Sequence, residues 1–283
     1  MATFFNQASL SYNGNVTQSN VTVGEIVGVL SASKDALTTV YSQGDTVTYV
    51  IALVNSGSTE LSNLTVSDDL GAYSFGTLTL RPLDYVDASL RYYVNGVLQA
   101  SPTVAAADEL VISGINIPAS SNALLVYETT VNGFAPLDAQ SQITNTATVS
   151  GASISDVTAS ETISAAQASN LTVTKSVNPT VVSENGRITY SFVIQNYGNT
   201  AADVSDNVIL SDTFDPALSN LSVSYNSLPW AEGVNYTYDE ASGAFATVGG
   251  QITVGAASYT QDITTGEWSI VPASVVVTVS GNV

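Results

Sequence analysis

The chain carries one pattern of residues twice, and this internal repeat limits the folds that it can adopt. Lysine, tyrosine and asparagine follow one another at intervals of 15 and six residues, first at Lys34, Tyr49 and Asn55 and again at Lys175, Tyr190 and Asn196. Short segments that alternate apolar and polar residues accompany both copies, and turn signals such as Asn95-Gly96 separate them. Regular short strands in two similar units predict an all-β fold with two tandem Ig-like β-sandwiches.

The repeat also sets the expected domain boundaries. We predict the first sandwich at residues 27–163 and the second at 164–283, after an N-terminal segment of residues 1–26. The second unit aligns only loosely at its end, where Thr278–Gly281 matches Thr130–Gly133. The first unit is expected to end on a strand at 143–150. No counterpart of that strand follows in the second unit, which is therefore predicted to lack its closing strand.

The N-terminal segment begins with a copy of that closing strand. Residues 4–11 alternate with the period of a half-buried β-strand, and one face holds Phe4, Asn6, Ala8 and Leu10. The strand at 143–150 has the same order on one face, with Ile143, Asn145, Ala147 and Val149. Since no domain precedes residues 4–11, we interpret them as a donor strand that completes the second sandwich of another molecule. The alternatives are a strand that folds back on its own domain and a frayed terminus.

Composition excludes several classes of function. The 24 acidic residues against five basic ones give a net charge of −19, which argues against nucleic acid and anionic membranes as partners. The chain has no cysteine and no histidine, so disulfides, thiolate zinc sites and the commonest general base are absent. Residues 1–30 show no signal peptide and no membrane span. We expect no metal, no cofactor and no enzymatic turnover, because no acidic spacing matches a calcium loop or a glycosidase pair.

The chain contains only two lysines, and strand alternation points both of them inward. A buried ammonium must be paired or lose its charge. Aspartates at equivalent positions end a later strand of each unit, and asparagines lie on the closing strands. The predicted sites are Lys34, Asp68 and Asn145 within the first unit, and Lys175, Asp212 and the donated Asn6 between molecules.

Lysine, asparagine and a carboxyl on facing strands are the groups that an intramolecular amide cross-link requires. Desolvation favours the neutral amine, which can attack the carboxamide carbon. The same apolar surroundings favour a protonated carboxylic acid, which polarises the carboxamide and transfers protons as ammonia leaves. Opposite charges can instead hold each other ionised, so a plain ion pair with a neighbouring asparagine is the competing interpretation.

Three segments carry a resemblance to known families. Residues 174–175 (Thr-Lys), residues 66–70 and 210–214 around the aspartates, and residues 145–149 (Asn-Thr-Ala-Thr-Val) resemble the tandem repeat domain of uncharacterised bacterial and archaeal surface proteins. The arrangement is also similar to the isopeptide-forming Ig-like domains of Gram-positive pilins and adhesins. The resemblance covers both units except residues 216–261. It implies surface display and a cross-link between Lys34 and Asn145, with Asp68 as the promoting acid.

Together these features predict a non-enzymatic structural subunit of an extracellular fibre or pilus, displayed as a cell or spore surface appendage. The partner is the chain itself, which forms a homopolymer through donor-strand complementation and isopeptide bonds. The alternative is a fragment of a surface adhesin that binds a host or matrix ligand.

Overall fold

The computed structural model describes residues 2–26, 28–151 and 154–283. Within these ranges the chain forms 28 β-strands and a single-turn 3-10 helix, Val204–Asp206, which confirms the predicted all-β class. Two compact units are present: Met1–Ala135 with Ile143–Ile163, and Pro136–Gln142 with Ser164–Val283. Each unit contains an Ig-like sandwich.

The N-terminal segment is a long two-stranded hairpin. Its strands are β1 (Ala2–Asn6), β2 (Ser9–Tyr12), β3 (Asn15–Gln18) and β4 (Thr22–Ile26). β1 pairs with β4 and β2 pairs with β3, around an Asn13-Gly14 turn in which both residues have positive φ, as two-residue hairpin turns require. The sequence predicted a polar segment after this turn, but the structure has a second strand there. Residues 4–25 are all exposed except Gly24, which is half-buried.

The sandwich of the first unit is built from two six-stranded sheets. Its strands are β5 (Leu30–Ala36), β6 (Val40–Tyr41), β7 (Thr46–Asn55), β8 (Leu61–Asp68), β9 (Tyr73–Phe75), β10 (Leu78–Leu80), β11 (Leu83–Tyr85), β12 (Arg91–Val94), β13 (Val97–Leu98), β14 (Thr103–Ala106), β15 (Leu110–Ile117), β16 (Ser121–Val131), β17 (Gln142–Ser150) and β18 (Val157–Ala165). One sheet has the order β13-β12-β16-β7-β5, with β11 also on β16, and the other has the order β14-β15-β8-β17-β18-β6. A small β9–β10 hairpin stands apart.

Alternation of side chains along the strands builds the core of this unit. β7 is representative, because its buried residues Val47, Tyr49, Ile51 and Leu53 alternate with half-exposed ones. β-Branched and aromatic residues at these positions favour the extended backbone and pack between the two sheets. Asn55 ends the strand fully buried, where its side-chain amide donates to three backbone oxygens. The equivalent Asn196 makes two such bonds in the second unit.

One prediction about the first unit was wrong. The strand at 143–150 does not close the unit, because β18 lies beside it and β6 lies beyond β18. The sequence of β18 is rich in Ser, Thr and Ala and resembles a linker. Its inward residues Ile163 and Ala165 are nevertheless buried, since tertiary packing can override a weak local β signal.

The second unit has fewer strands. They are β19 (Leu171–Asn178), β20 (Arg187–Asn196), β21 (Ser211–Thr213), β22 (Ser219–Tyr225), β23 (Leu228–Trp230), β24 (Tyr236–Asp239), β25 (Ala244–Thr247), β26 (Ser258–Gln261), β27 (Trp268–Val271) and β28 (Ala273–Asn282). One sheet has the order β19-β20-β28-β22-β23 and faces a three-stranded sheet, β21-β25-β24. β26 and β27 form a separate hairpin.

The strand ladders also correct the loose alignment at the end of the second unit. Tyr127 on β16 lies opposite Tyr49 on β7, and Val279 on β28 lies opposite Tyr190 on β20. Since Tyr190 repeats Tyr49, the structural counterpart of Tyr127 is Val279. The sequence alignment had matched Val279 with Val131, four residues farther along β16.

Candidate functional site

The first site lies between the two sheets of the first unit. Lys34 comes from β5 in one sheet, whereas Asp68 ends β8 and Asn145 lies on β17 in the facing sheet. Asp68 pairs with Ala147 across the ladder, which puts Asn145 two residues away on the same inward face. Asp68 and Asn145 are completely buried and Lys34 is 4% exposed. The structure therefore brings together all three residues that the sequence predicted for this unit.

Burial decides the protonation chemistry of Lys34. Its Nζ lies 2.5 Å from Asp68 Oδ2 and 5.0 Å from the centre of the Tyr49 ring. Burial lowers the pKa of the Lys34 ammonium from its ordinary value of 10.5, and the negative charge of Asp68 offsets part of this shift. Desolvation is the larger effect, so the site favours the neutral amine more than water does.

A tyrosine pair supports the aspartate from the sheet that carries Lys34. The Tyr127 hydroxyl donates to Asp68 Oδ2 at 2.5 Å, and its ring stacks on Tyr49 with centroids 5.8 Å apart. Burial raises the pKa of the Tyr127 phenol well above its usual value, so the phenol keeps its proton and remains a donor. The two rings thus fix the carboxyl group that contacts the lysine.

A tight turn after β8 supplies two backbone donors to the site. The Leu70 amide donates to Asp68 Oδ1 at 3.1 Å, and the Gly71 amide donates to Asn145 Oδ1 at 3.3 Å. Both residues have positive φ, which is rare for leucine and common for glycine. A Cβ on Gly71 would lie 2.6 Å from Ile143 Cγ2. Only glycine therefore fits where this backbone approaches β17.

The leaving atom of the predicted reaction is the atom without a partner. Asn145 Nδ2 is buried and makes no hydrogen bond, and the same is true of the Tyr49 hydroxyl. A buried donor without an acceptor destabilises a folded protein by about 1–3 kcal/mol. Meanwhile the Gly71 amide sits on the carbonyl oxygen, where negative charge develops when an amine adds to the carbon. The geometry suits attack by Lys34 and departure of this nitrogen as ammonia.

The second unit repeats the ion pair in a more open setting. Lys175 Nζ pairs with Asp212 Oδ2, but the lysine side chain is 41% exposed and the aspartate side chain 19% exposed. The corresponding side chains of the first unit, Lys34 and Asp68, are both 0% exposed. Lys175 was predicted to be buried, and the structure corrects this. Its inward direction is right, because Nζ lies 4.5 Å from the centre of the Tyr190 ring.

A missing neighbour explains the exposure. In the first unit β8 lies between β15 and β17, whereas its counterpart β21 has β25 on one side only among the described residues. Consequently nothing in the described part of this unit takes the place of Asn145. Asp212 also receives no phenol hydrogen bond of the kind that Tyr127 gives, because Val279 stands at that position.

The donor-strand residues are exposed on the N-terminal hairpin. Phe4 is 51% exposed and Leu10 is 61% exposed, and both Asn6 and Ala8 are exposed as well. Asn6 belongs to a different compact unit from Lys175 and Asp212. The intermolecular pairing of these residues therefore remains a prediction.

Sequence reasoning missed several members of the site. They are Tyr127, Leu70, Gly71 and Glu161, of which Glu161 is half-buried on β18 and has a charge that acts on Lys34. Tyr49 was noted only as part of the repeat. Its fixed distance from the lysine in both units was the signal that could have identified it.

Two further classes of site were searched for in the described ranges. No group of acidic residues there could hold a metal ion. No helix in residues 2–26, 28–151 or 154–283 is long and apolar enough to cross a membrane.

Comparisons with known proteins place the fold among surface proteins of Gram-positive bacteria. No protein-family model and no curated protein sequence matches the chain. Among solved structures, it is similar to the pilus backbone RrgB of Streptococcus pneumoniae, with 12% identity over 86% of this chain and 55% of that one and a TM-score of 0.33. The chain thus spans about half the length of RrgB.

Two more structures are of the same kinds. The major pilin subunit BcpA of Bacillus cereus is 10% identical over 95% of this chain and 73% of its own, with a TM-score of 0.38. The collagen-binding subdomain ACE19 of an Enterococcus faecalis surface protein is 7% identical over 50% of this chain and 99% of its own, with a TM-score of 0.30. These likenesses agree with the resemblance to pilins and adhesins, and at such scores they carry no argument about function.

Proposed function

We propose that this chain is a structural subunit of an extracellular fibre on a cell or spore surface, joined head to tail by donated strands and amide cross-links. The observation that carries the proposal is the contrast between the two lysine sites. One is closed over Lys34, Asp68 and Asn145, whereas the other leaves Lys175 and Asp212 half-covered beside an open sheet edge. Soluble proteins seldom leave an edge strand and part of a core uncovered.

The internal bond forms in the first unit without any cofactor. The neutral Lys34 amine attacks Cγ of Asn145, and the Asp68 carboxyl group moves a proton from the lysine nitrogen to the departing amide nitrogen. The C–N bond to Nδ2 breaks, the new amide links the lysine Nζ to Cγ, and one ammonia leaves. The reaction is not an oxidation, so atoms and charge balance without a further reactant.

The joint between molecules uses the same chemistry. The strand with Phe4, Asn6, Ala8 and Leu10 of one molecule pairs with the free edge of β21 in the next. This register puts Asn6 where Asn145 lies in the first unit, beside Lys175 and Asp212. Backbone ladder bonds give affinity, and alternate side chains set the register.

Non-covalent burial alone makes a modest joint. Burial of the two large apolar side chains, Phe4 and Leu10, contributes roughly 1.5–3 kcal/mol each, before the cost of ordering them. An amide between Lys175 and Asn6 makes dissociation kinetically negligible. Because the donor and the acceptor are different surfaces, the contact is heterologous and propagates as a filament unless it closes into a ring.

The test is electrophoresis after boiling in denaturant. Wild type should leave a ladder of covalent multimers. Asn6→Ala should still associate under native conditions but fall to monomers on boiling, and Lys175→Arg should do the same because a guanidinium keeps the ion pair but not the nucleophile. Asn15→Ala, on the same hairpin but away from the predicted register, is the matched control and should behave as wild type. Deletion of residues 1–12 should abolish assembly.

Two outcomes would contradict the proposal. Wild-type monomers after boiling, with no filaments before it, would favour an adhesin fragment or a second unit that is completed by another segment of the same polypeptide. Filaments from the chain without residues 1–12 would show that the N-terminal segment is not the donor.

A further inference from the structure

We infer that the element exchanged between molecules is the whole N-terminal hairpin, β1–β4, which fills the positions of two strands. This inference rests on the proposed function and specifies its joint. The sequence suggested a single donated strand. The structure instead shows a paired element whose geometry matches the β17–β18 hairpin of the first unit.

The acceptor lacks two neighbouring strands. In the first unit β8 is followed across the sheet by β17 and then by β18. The equivalent β21 has neither neighbour in the described part of the second unit. A single inserted strand would fill the first place and expose a new unpaired edge, which is the hazard that edge strands present. A hairpin fills both places at once.

The two hairpins share one cross-strand register beside the predicted reactive asparagine. Asn6 lies opposite Thr22 on β4, 16 residues along the chain. On β17–β18, side-chain bonds join Gln142 to Ser164 and Thr144 to Thr162, so Asn145 lies opposite Glu161, also 16 residues along. Superposition of Asn6 on Asn145 therefore carries β4 onto β18 without a shift in register.

One cross-strand pair shows how the side chains would substitute for each other. In the first unit Ile143 and Ile163 lie opposite each other in that register, and they are 2% and 0% exposed. The same places on the donor hold Phe4 and Gly24, which are Cα partners. A Cβ on Gly24 would lie 2.2 Å from Phe4 Cζ, so the ring lies over the glycine. One large ring thus takes the place of two isoleucines.

This pairing gives Gly24 a purpose that a single donated strand does not. Glycine weakens a strand interior unless something approaches its backbone closely, and an aromatic ring across the ladder is a known compensation. If β1 entered alone, β4 would peel away and the side chain at position 24 would not matter to the joint. The two modes of donation therefore differ in the effect of substitutions at position 24.

The experiment compares four full-length chains in the multimer assay. In Gly24→Ile the new side chain must displace the Phe4 ring, and we expect covalent multimers to form about tenfold more slowly. In Phe4→Ile/Gly24→Ile the isoleucine pair of the first unit is recreated, and we expect the wild-type rate. Glu25→Ile puts the same side chain on the opposite face of β4 and serves as the control with no effect. Wild type provides the reference.

Each outcome bears on one of the two proposals. A slow single variant with a restored double variant supports hairpin donation. A Gly24→Ile chain that assembles at the wild-type rate, or a double variant that stays as slow as the single one, overturns it while the fibre proposal stands. Failure of the wild type to assemble refutes the fibre and this inference together.

Hydrogen exchange on wild-type fibres gives a second reading. If the hairpin enters intact, the amides of Thr22–Ile26 that pair with β1 stay protected in the fibre. If β1 enters alone, they exchange as freely as an unpaired strand, and hairpin donation is wrong.

Discussion

Replacement of Asn145 by alanine should separate the cross-link from every other contact of the first site. The substitution removes the carbon that Lys34 attacks but leaves the ion pair with Asp68 and the phenol hydrogen bond from Tyr127 in place. It also removes a buried amide nitrogen that has no partner. Any large loss of stability must then come from the missing covalent bond and from the Gly71 amide, which loses its acceptor.

The magnitude follows from the length of the closed loop. An amide between positions 34 and 145 closes a loop of 111 residues (145 − 34). In the chain-entropy model, a cross-link over a loop of about 100 residues stabilises the folded state by about 4.7 kcal/mol. The unpaired Gly71 amide adds roughly 1–3 kcal/mol. We therefore expect Asn145→Ala to lower the free energy of unfolding of the first unit by about 6–8 kcal/mol.

A double-mutant cycle isolates the covalent part. Lys34→Met is close in volume, cannot form the amide and gives a background in which Asn145→Ala should cost only about 1–3 kcal/mol. The assay combines intact mass under denaturing conditions with urea unfolding followed by circular dichroism. Both tryptophans, Trp230 and Trp268, belong to the second unit. Their fluorescence therefore reports whether that unit is unchanged.

Two results would refute the reasoning. The wild-type monomer must be lighter than its sequence mass by one ammonia, and either substitution must restore the full mass. A wild type at full mass means that the site holds only an ion pair. Equal costs of Asn145→Ala in both backgrounds would mean that no covalent bond contributes to stability.

Four further outcomes are expected. Tyr127→Phe keeps the ring but removes the donor to Asp68, so ammonia loss followed by mass should slow roughly ten- to hundredfold. Gly71→Ala should destabilise the first unit by about 1–3 kcal/mol in urea, because φ is positive there and Cβ would lie 2.6 Å from Ile143. In a chain without the electrophilic asparagine, the unfolded state binds more protons between the lowered pKa of Lys34 and its ordinary 10.5; the free energy of unfolding should therefore rise with pH across that window, and Lys34→Met should abolish the rise. Assembly followed by light scattering should accelerate with added salt, because the net charge of −19 makes subunits repel one another.

The positions of the lysine sites were readable from the sequence because strand alternation is a local rule. A period of two tells which residues share a face, and the repeat supplies each position twice. Lys34, Asp68 and Asn145 therefore came together as predicted. The all-β class and two sandwiches followed from the same evidence, since alternating segments and turn residues are set by neighbours in the chain.

Contacts across strands were not readable in this way. The phenol of Tyr127 reaches Asp68 because β16 lies beside β7 in one ladder register, and sequence spacing does not fix that register. The end of the second unit shows the same effect, because its alignment was four residues out until the ladder matched Val279 with Tyr127. β18 was missed because its composition is that of a linker and only packing against β17 makes it a strand.

The sequence by itself determined the fold class, the inward direction of both lysines and the likeness of Asn6 to Asn145. The tertiary structure decided which lysine is closed off from water, because burial depends on strands that are distant in the chain. Lys34 has β17 and β18 beyond its aspartate, whereas Lys175 faces an edge with neither. It also decided that the N-terminal segment is a paired hairpin, since the partners of β1 and β2 are fixed by a turn and a ladder and not by alternation alone.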